Sequence, residues 1–555
     1  MSSPRTLAAG LLAAALASTC ASSACAQTVW TPTATQGISL TQLVSAADNG
    51  PAPAGQAITV RLGLKTQNQA ALATYIQNIN NPSSPLYGQS LTPAQFAASY
   101  APSPAQVAAV TGYLQSQGFT SVTVEPNHLL VSADGTVVQA EAAFNTSIEQ
   151  FTQFGKVVFG NTAPAQVPGS LGNTVAAVLG LNSIGQMKPT IVTRSQVSVP
   201  QYAVSYDPAQ FQTIYGATGT PTGSNAAIAI MAEGDLSQVL VDLRTEEKAF
   251  GMPQVAYTVV PVGLASTDTS GEDEWDLDTQ YSTGMAQTVK HLYIYDTTSL
   301  TDSDLALEIS RWVTDDKAKA GSASLGECEV FPFLDGSMLV DDESFAEAAA
   351  QGQSFFASTG DTGSFCPVGV GTNGAPAGAP MVNYPAASQY VMGVGGTTLL
   401  TNSDGTYDTE IAWYAGGGGI SQFEYSPYWQ TAAGIPSSEL GDKGIPDIAM
   451  DADPYSGANV YVDGSVEAVG GTSLSSPLAL GVWARLISAN PRLGFAPIRY
   501  YGLYDGATIP GSYPKGGFHD IEVGANGFYT ALPGWDYTTG LGTLWVNELA
   551  ADLAK

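Results

Sequence analysis

From Tyr202 onward, short apolar runs bounded by turn residues alternate with helical patterns. The runs are Ala226–Met231, His291–Tyr295, Ser322–Leu325, Gln353–Ser358 and Tyr390–Val394. Helical periodicity predicts Glu274–Val289, Ser303–Lys317 and Glu343–Gln351 between them. Strands buried on both faces read as continuous apolar runs, and parallel strands are joined by helical crossovers. The second part of the chain is therefore expected to be an α/β domain, a parallel sheet with helices on both faces. No internal repeat interrupts it.

The first part reads differently. Ile58–Leu64 predicts a strand; Gln67–Ile79, Thr92–Tyr100 and Pro104–Gln117 predict helices. Strands near Val122–Val124 and Leu129–Val131 and a helix over Thr136–Phe144 follow, giving a small α+β domain. Residues 184–201 are polar and aperiodic, which predicts an exposed linker open to processing. Ahead of all this, Arg5 precedes an apolar run from Leu7 to Leu16, and Ala24-Cys25-Ala26 offers small residues for cleavage. Residues 1–26 read as a secretory signal peptide, too short for a membrane span. Cys328 and Cys366 then remain as the cysteines of an exported chain, and one disulfide is expected.

Charge narrows the partners. The 555 residues carry 48 Asp and Glu against 18 Lys and Arg, a formal net charge of −30. That surface disfavours nucleic acid and anionic membranes. It suits an acidic medium, where carboxylates are neutral; solubility alone is the other reading.

Three segments carry chemistry. Gly470-Gly471-Thr472-Ser473-Leu474-Ser475-Ser476-Pro477 delivers a serine to the first turn of a helix that Leu478, Leu480, Val482, Trp483 and Leu486 carry inward. Free N–H groups at a helix start can hold an oxyanion; a simple N-cap is the alternative. A hydroxyl nucleophile needs a base. His128, His291 and His519 sit in no setting suited to it; structural roles are expected for all three, with the outer shell of a metal site as the alternative for His519. The run Gly271-Glu272-Asp273-Glu274-Trp275-Asp276-Leu277-Asp278 is the better source. At helical spacing Glu274 and Asp278 share a stripe with Leu277, Tyr281 and Met285, whereas Glu272 and Asp276 line up with Thr279, Gln280 and Thr283 and are expected to face water. An inward carboxylate pair holds a proton against desolvation and repulsion. Third, the strand Phe355–Ser358 runs into Thr359-Gly360-Asp361-Thr362-Gly363, where Asp361 stands at a strand's C-terminal end as a ligand-facing group or an Asx turn. Gly416–Gly419 could be a hinge, a linker or a backbone surface for substrate.

Together these residues resemble the sedolisins, or serine-carboxyl peptidases. Ser322-Ala323-Ser324-Leu325-Gly326-Glu327-Cys328-Glu329 and Gly444-Ile445-Pro446-Asp447 extend the match, and Tyr87-Gly88-Gln89-Ser90-Leu91-Thr92 with Gln95-Phe96 resembles the family's activation prodomain. Leu325 with Cys328 is more similar to the pseudomonalisin and xanthomonalisin branch than to kumamolisins. Kumamolisins carry tryptophan at the place of Leu325 and a glutamate in the first core strand, where Glu233 is out of step. The resemblance implies a subtilisin-like parallel sheet preceded by a ferredoxin-like prodomain. It implies Ser473 as nucleophile, Glu274 as general base, Asp278 orienting Glu274, and Asp361 as oxyanion-hole donor. Phe518-His519-Asp520-Ile521 and Gly534-Trp535-Asp536 resemble the family's calcium site, one structural Ca2+ held by Asp520 and Asp536 side chains and the Ile521, Leu532 and Gly534 carbonyls.

The domain expectation is a signal peptide over 1–26, a prodomain over 27–190 with linker to about 201, and a catalytic domain over 191–555. The functional expectation is a secreted, monomeric acid endopeptidase made as a self-processing zymogen. Its partners would be polypeptide substrates and its own prodomain, acting as intramolecular inhibitor or chaperone. A non-catalytic, calcium-stabilised secreted binding protein on the same fold is the alternative.

Overall fold

The structure is a computed structural model, described over residues 28–38, 46–153, 155–194, 203–366, 380–438, 441–504 and 517–554. The expected signal peptide lies outside the described residues.

The N-terminal domain is an antiparallel four-stranded sheet. Strand Leu130–Thr136 pairs with Thr120–Val124 on one side and Ala57–Leu64 on the other, and Val175–Leu179 closes the far edge. With helices Gln69–Asn80, Pro93–Ser99, Pro104–Ser116 and Val137–Phe144 in the crossovers, this is the ferredoxin-like order. The helix starts are local chemistry. Thr92 with Gln95 and Ser103 with Gln106 form capping boxes, each followed by proline in the first turn. Leu130, Ala177 and Leu179 from this sheet pack with Ala306 and Val340 of the second domain. One face of the prodomain sheet is thus buried against the larger domain. Arg61 reinforces the seam with a 2.7 Å ion pair to Asp304.

The second domain is built on seven neighbouring parallel strands: β1 (Gly223–Glu233), β2 (Tyr257–Val262), β3 (Val289–Thr297), β4 (Ala320–Ala323), β5 (Ser354–Ser358), β6 (Val391–Thr401) and β7 (Ile448–Asp451). Their spatial order is β2-β3-β1-β4-β5-β6-β7. The sheet turns mixed at its margin, where Tyr407–Ala412 runs antiparallel to β6 and Phe518–His519 antiparallel to Thr543–Leu544. The helices that matter are α1 (Ser237–Ala249), α2 (Glu272–Met285), α3 (Asp302–Asp315), α4 (Ser337–Ala350) and α5 (Thr472–Ala489).

Helix α5 lies across β1, β4, β5, β6 and β7 and packs against α2. The crossing is tight because Gly481 has no side chain; a Cβ there would come within 2.7 Å of Met285 Cβ. Helix α2 is covered all round by α1, α5 and strand Ala458–Val462. Asp276, Thr279, Gln280 and Thr283 are consequently buried, and the expected outward stripe of α2 does not face water. The amphipathic reading fails beyond the first turn, where Glu272 is partly exposed and Asp273 exposed, because the rest of α2 sits in an inner layer.

Candidate active site

Ser473 is the second residue of α5, and Gly471, in the left-handed region at φ 98°, occupies the cap position. Pro477 lies inside the helix rather than at its first turn. Lacking an N–H, it leaves the carbonyl four residues earlier unpaired, and that carbonyl belongs to Ser473. Ser324 Oγ lies 3.2 Å from it and divides its single proton between this carbonyl and Asp278.

Ser473 Oγ donates to Glu274 Oε2 at 2.8 Å. Glu274 stands in the first turn of α2, with Asp278 one turn further on. Ser324, just past β4, donates to Asp278 Oδ1 at 2.5 Å. Glu274 Oε1 and Asp278 Oδ2 are buried without a hydrogen-bond donor. Burial first, and then the neighbouring Asp278 charge, push Glu274 far above the usual carboxylate range, against the pull of the Ser473 hydroxyl. Burial does the same to Asp278, opposed by Ser324. Such a pair keeps a proton that separated carboxylates would release.

Asp361 reaches the same spot from the end of β5. Its Oδ1 accepts Thr472 N–H and Thr472 Oγ–H, both at 2.8 Å. Its Oδ2 is buried and unpartnered, although the residue keeps a partly exposed edge. Burial raises its pKa to about 7 even though the Thr472 bonds pull down. The loop around it is buttressed from behind. Gly417 N–H donates to the Gly360 carbonyl at 2.7 Å, and Thr359 Oγ–H to the Gly417 carbonyl at 2.8 Å. Gly416–Gly419 are buried, which removes the linker reading, and Gly417 supports the Asp361 loop.

All four expected catalytic residues therefore meet at the C-terminal ends of the strands. The three histidines are elsewhere. His128 contacts the Pro102 carbonyl, His291 pairs with Thr258, and His519 lies between Tyr407 and Trp545. Glu233 neighbours Asp268 and Asp296 rather than Glu274.

The chain itself lies in the cleft: of the expected exposed linker, Gln186, Lys188 and Thr193 are exposed while the residues between them are half-buried or buried, and residues 195–201 lie outside the described residues. Lys188–Pro189 runs antiparallel to Leu325–Gly326, and Val192–Thr193 antiparallel to Val469–Gly470. Met187 is only 3% exposed. Between the two pairings Thr190 donates its N–H to the Ser324 carbonyl at 3.3 Å, and its Oγ1 lies 2.8 Å from Ser473 Oγ and 2.7 Å from Ser358 Oγ. Polar residues 184–194 gave no periodic signal, because their order comes from pairing with distant strands. Ser324, Thr472, Ser358 and Thr190 were not singled out as site residues. Serine and threonine recur throughout the chain, and only contact distinguishes these four.

The C-terminal acidic residues also converge. Gly534 N–H donates to Asp520 Oδ2 and Leu532 N–H to Asp536 Oδ2, both at 2.8 Å. Asp520 Oδ1 is buried without a partner.

Comparison with known proteins now bears on this geometry. Residues 45–184 match the Pro-kumamolisin activation domain model and residues 262–502 the subtilase family model. The chain is 37% identical to sedolisin of Pseudomonas sp. (strain 101), covering 94% of this chain and 92% of that one. The chain belongs to the sedolisin family. Xanthomonalisin of Xanthomonas sp. (strain T-22) is 36% identical over 88% of this chain and 65% of that protein. A solved structure of Pseudomonas sedolisin, a serine-carboxyl proteinase complexed with two molecules of pseudo-iodotyrostatin, aligns with TM-score 0.58, covering 63% of this chain and 98% of that one. As a sedolisin-family member the chain is a serine-type peptidase with an activation prodomain. The expected disulfide is present between Cys328 and Cys366.

Proposed function

We propose that this sedolisin-family protein is a secreted, acid-active endopeptidase in which Ser473 attacks a peptide carbonyl and Glu274 takes its proton. The observation that carries the reading is the 2.8 Å bond from Ser473 to Glu274 beneath a polypeptide already lying in the cleft. Asp278, held by Ser324, fixes the Glu274 carboxyl and shares its proton. Protonated Asp361 donates from Oδ2 to the oxyanion, and the Ser473 proton then passes from Glu274 to the leaving amine. Chain continues from the cleft on both sides of Ser473, which suits cleavage within a polypeptide rather than removal of end residues.

Secretion is supported by the signal-like N-terminus, the disulfide and the absence, among the described residues, of a helix long and apolar enough to cross a membrane. We propose residues 27–190 as prodomain and 191–555 as catalytic domain. A single Ca2+ held by Asp520, Asp536 and the Ile521, Leu532 and Gly534 carbonyls is the third part of the proposal. What supports it is the orphaned buried Oδ1 of Asp520 near Asp536, whose own oxygens accept the Leu532, Thr538 and Thr539 N–H groups; a hard cation there would tie the C-terminal loop together.

The deciding experiment incubates acidified protein with denatured protein substrate at acid and neutral pH. Wild type is expected to hydrolyse it in acid, Ser473→Ala not at all, and Glu274→Gln more slowly by about 10²–10⁴ in kcat, the usual yield of a positioned base. Absence of hydrolysis at every pH by correctly folded protein would sink the reading. For the cation, calcium is expected to raise the melting temperature of wild type but not of Asp520→Asn/Asp536→Asn.

A further inference from the structure

We propose that the first bond this protein cleaves is its own Thr190–Ile191 peptide bond, with Lys188–Thr190 as the acyl side and Ile191–Thr193 as the leaving side. The inference rests on the peptidase reading above and goes further by fixing one bond from the register of the seated chain.

Three independent contacts set that register. On the acyl side Lys188 is opposite Gly326 and Pro189 opposite Leu325; on the leaving side Val192 is opposite Gly470 and Thr193 opposite Val469. Each half of the segment is thus held as an added strand, and only Thr190 and Ile191 remain unpaired between them. Second, the Thr190 N–H is bonded to the Ser324 carbonyl at 3.3 Å, and the same carbonyl lies 3.4 Å from Ser473 Oγ. That brings Thr190 up to the nucleophile, whose Oγ lies 2.8 Å from the Thr190 hydroxyl. Third, the Thr190 carbonyl oxygen and Asp361 Oδ2 border the same small space. A Cβ built on Gly471 would come within 2.1 Å of the former and 2.6 Å of the latter. The missing side chain of Gly471 lets the Thr190 carbonyl enter beside Asp361 Oδ2, the oxygen of that carboxyl that lacks a partner.

The chemistry closes on these atoms. Ser473 Oγ bonds to the Thr190 carbonyl carbon as its proton moves to Glu274, and the resulting oxyanion takes a hydrogen bond from Asp361. The C–N bond to Ile191 breaks, and Glu274 returns the proton to the Ile191 nitrogen. Water then releases the Thr190 acid and regenerates the Ser473 hydroxyl. On the acyl side the Thr190 hydroxyl already contacts Ser358 Oγ at 2.7 Å, so the pocket for the residue before the cut has a hydroxyl at this point of its wall.

The test acidifies the purified full-length precursor at several concentrations and follows fragments by intact mass and N-terminal sequencing. The expected first products end at Thr190 and begin at Ile191, at a rate independent of precursor concentration, since each linker sits in its own cleft. Ser473→Ala should yield neither. A synthetic peptide of residues 185–196 should be cut at the same bond by the activated protein, and Ile191→Pro should abolish that first cut in the precursor. A first cut at any other bond, in protein that still digests denatured substrate, overturns the register. A rate that rises with precursor concentration overturns the seated geometry. If no polypeptide is hydrolysed at all, the peptidase reading fails instead.

Discussion

At the scale of single residues, the carboxyl of Asp361 is the group whose protonation has a direct chemical consequence. A carboxyl donates a hydrogen bond only while protonated, and burial holds this one protonated up to about pH 7. Above that pH its anion would repel the oxyanion it faces. Activity is therefore expected to be highest in acid and to fall as pH rises through about 7, with Asp361 contributing to the descending limb. Asparagine keeps a donor but has no proton to lose. Asp361→Asn should be slower at the optimum, by up to about 10²–10³ in kcat if the donor is weakened or misplaced, and its descending limb should move to higher pH. The measurement is kcat/KM against pH for both forms. Full activity of the variant at the acid optimum would show that Asp361 is not the donor; a slow variant with an unmoved limb assigns the pH dependence to Glu274 and Asp278.

At the scale of elements, the Cys328–Cys366 bridge links the two segments that shape the cleft. Cys328 ends the strand Leu325–Cys328 that pairs with Lys188–Pro189, and Cys366 follows the Asp361 loop. Asn383 lies between them, paired with Cys328 and donating to the Thr359 carbonyl at 2.8 Å. The bridge spans 38 residues, so chain-entropy reasoning assigns it about 3–4 kcal/mol. Cys328→Ser/Cys366→Ser is expected to lower the denaturant midpoint correspondingly. It should also lower kcat/KM in protein that remains folded, because both the substrate strand and the Asp361 loop lose an anchor. A variant with unchanged denaturant midpoint and unchanged kinetics would show that packing alone holds both segments.

At the scale of the whole molecule, the acidic composition has a thermal consequence. Burial raises Glu246, Glu327 and Glu347 to about 8, Glu329 to about 7 and Asp276 to about 9. The unfolded chain releases the same protons near pH 4. Between those limits the folded state binds more protons than the unfolded one, so stability falls as pH rises from about 4 through 8 to 9. Part of the loss falls on the prodomain seam, where Glu347 accepts Asn127 at 2.8 Å and Glu343 accepts Gln69 at 2.8 Å. Ser473→Ala precursor, which cannot digest itself, is expected to melt highest in acid and progressively lower towards pH 8. A melting temperature that rises over that range would mean these carboxyls ionise without cost in the folded state.

The sequence by itself determined the α/β class and an α+β domain ahead of it, because strand and helix periods are local signals; the prodomain reading and the choice of Ser473, Glu274, Asp278 and Asp361 come from the resemblance of their motifs to the sedolisins, since each residue alone also reads as a cap or a turn. It also placed Glu274 and Asp278 on one inward stripe. It could not show that α2 from Glu274 onward is buried on every side, since periodicity reports one face and burial depends on what covers the others. Asp276 was misplaced for that reason. Nor could it show that residues 185–194 lie in the cleft, because their order comes from strands more than a hundred residues away. Ser324 shows the division most plainly: its neighbour Leu325 is legible as part of a motif, whereas its bonds to Asp278, to the Ser473 carbonyl and to Thr190 exist only once β4, α2, α5 and the linker converge.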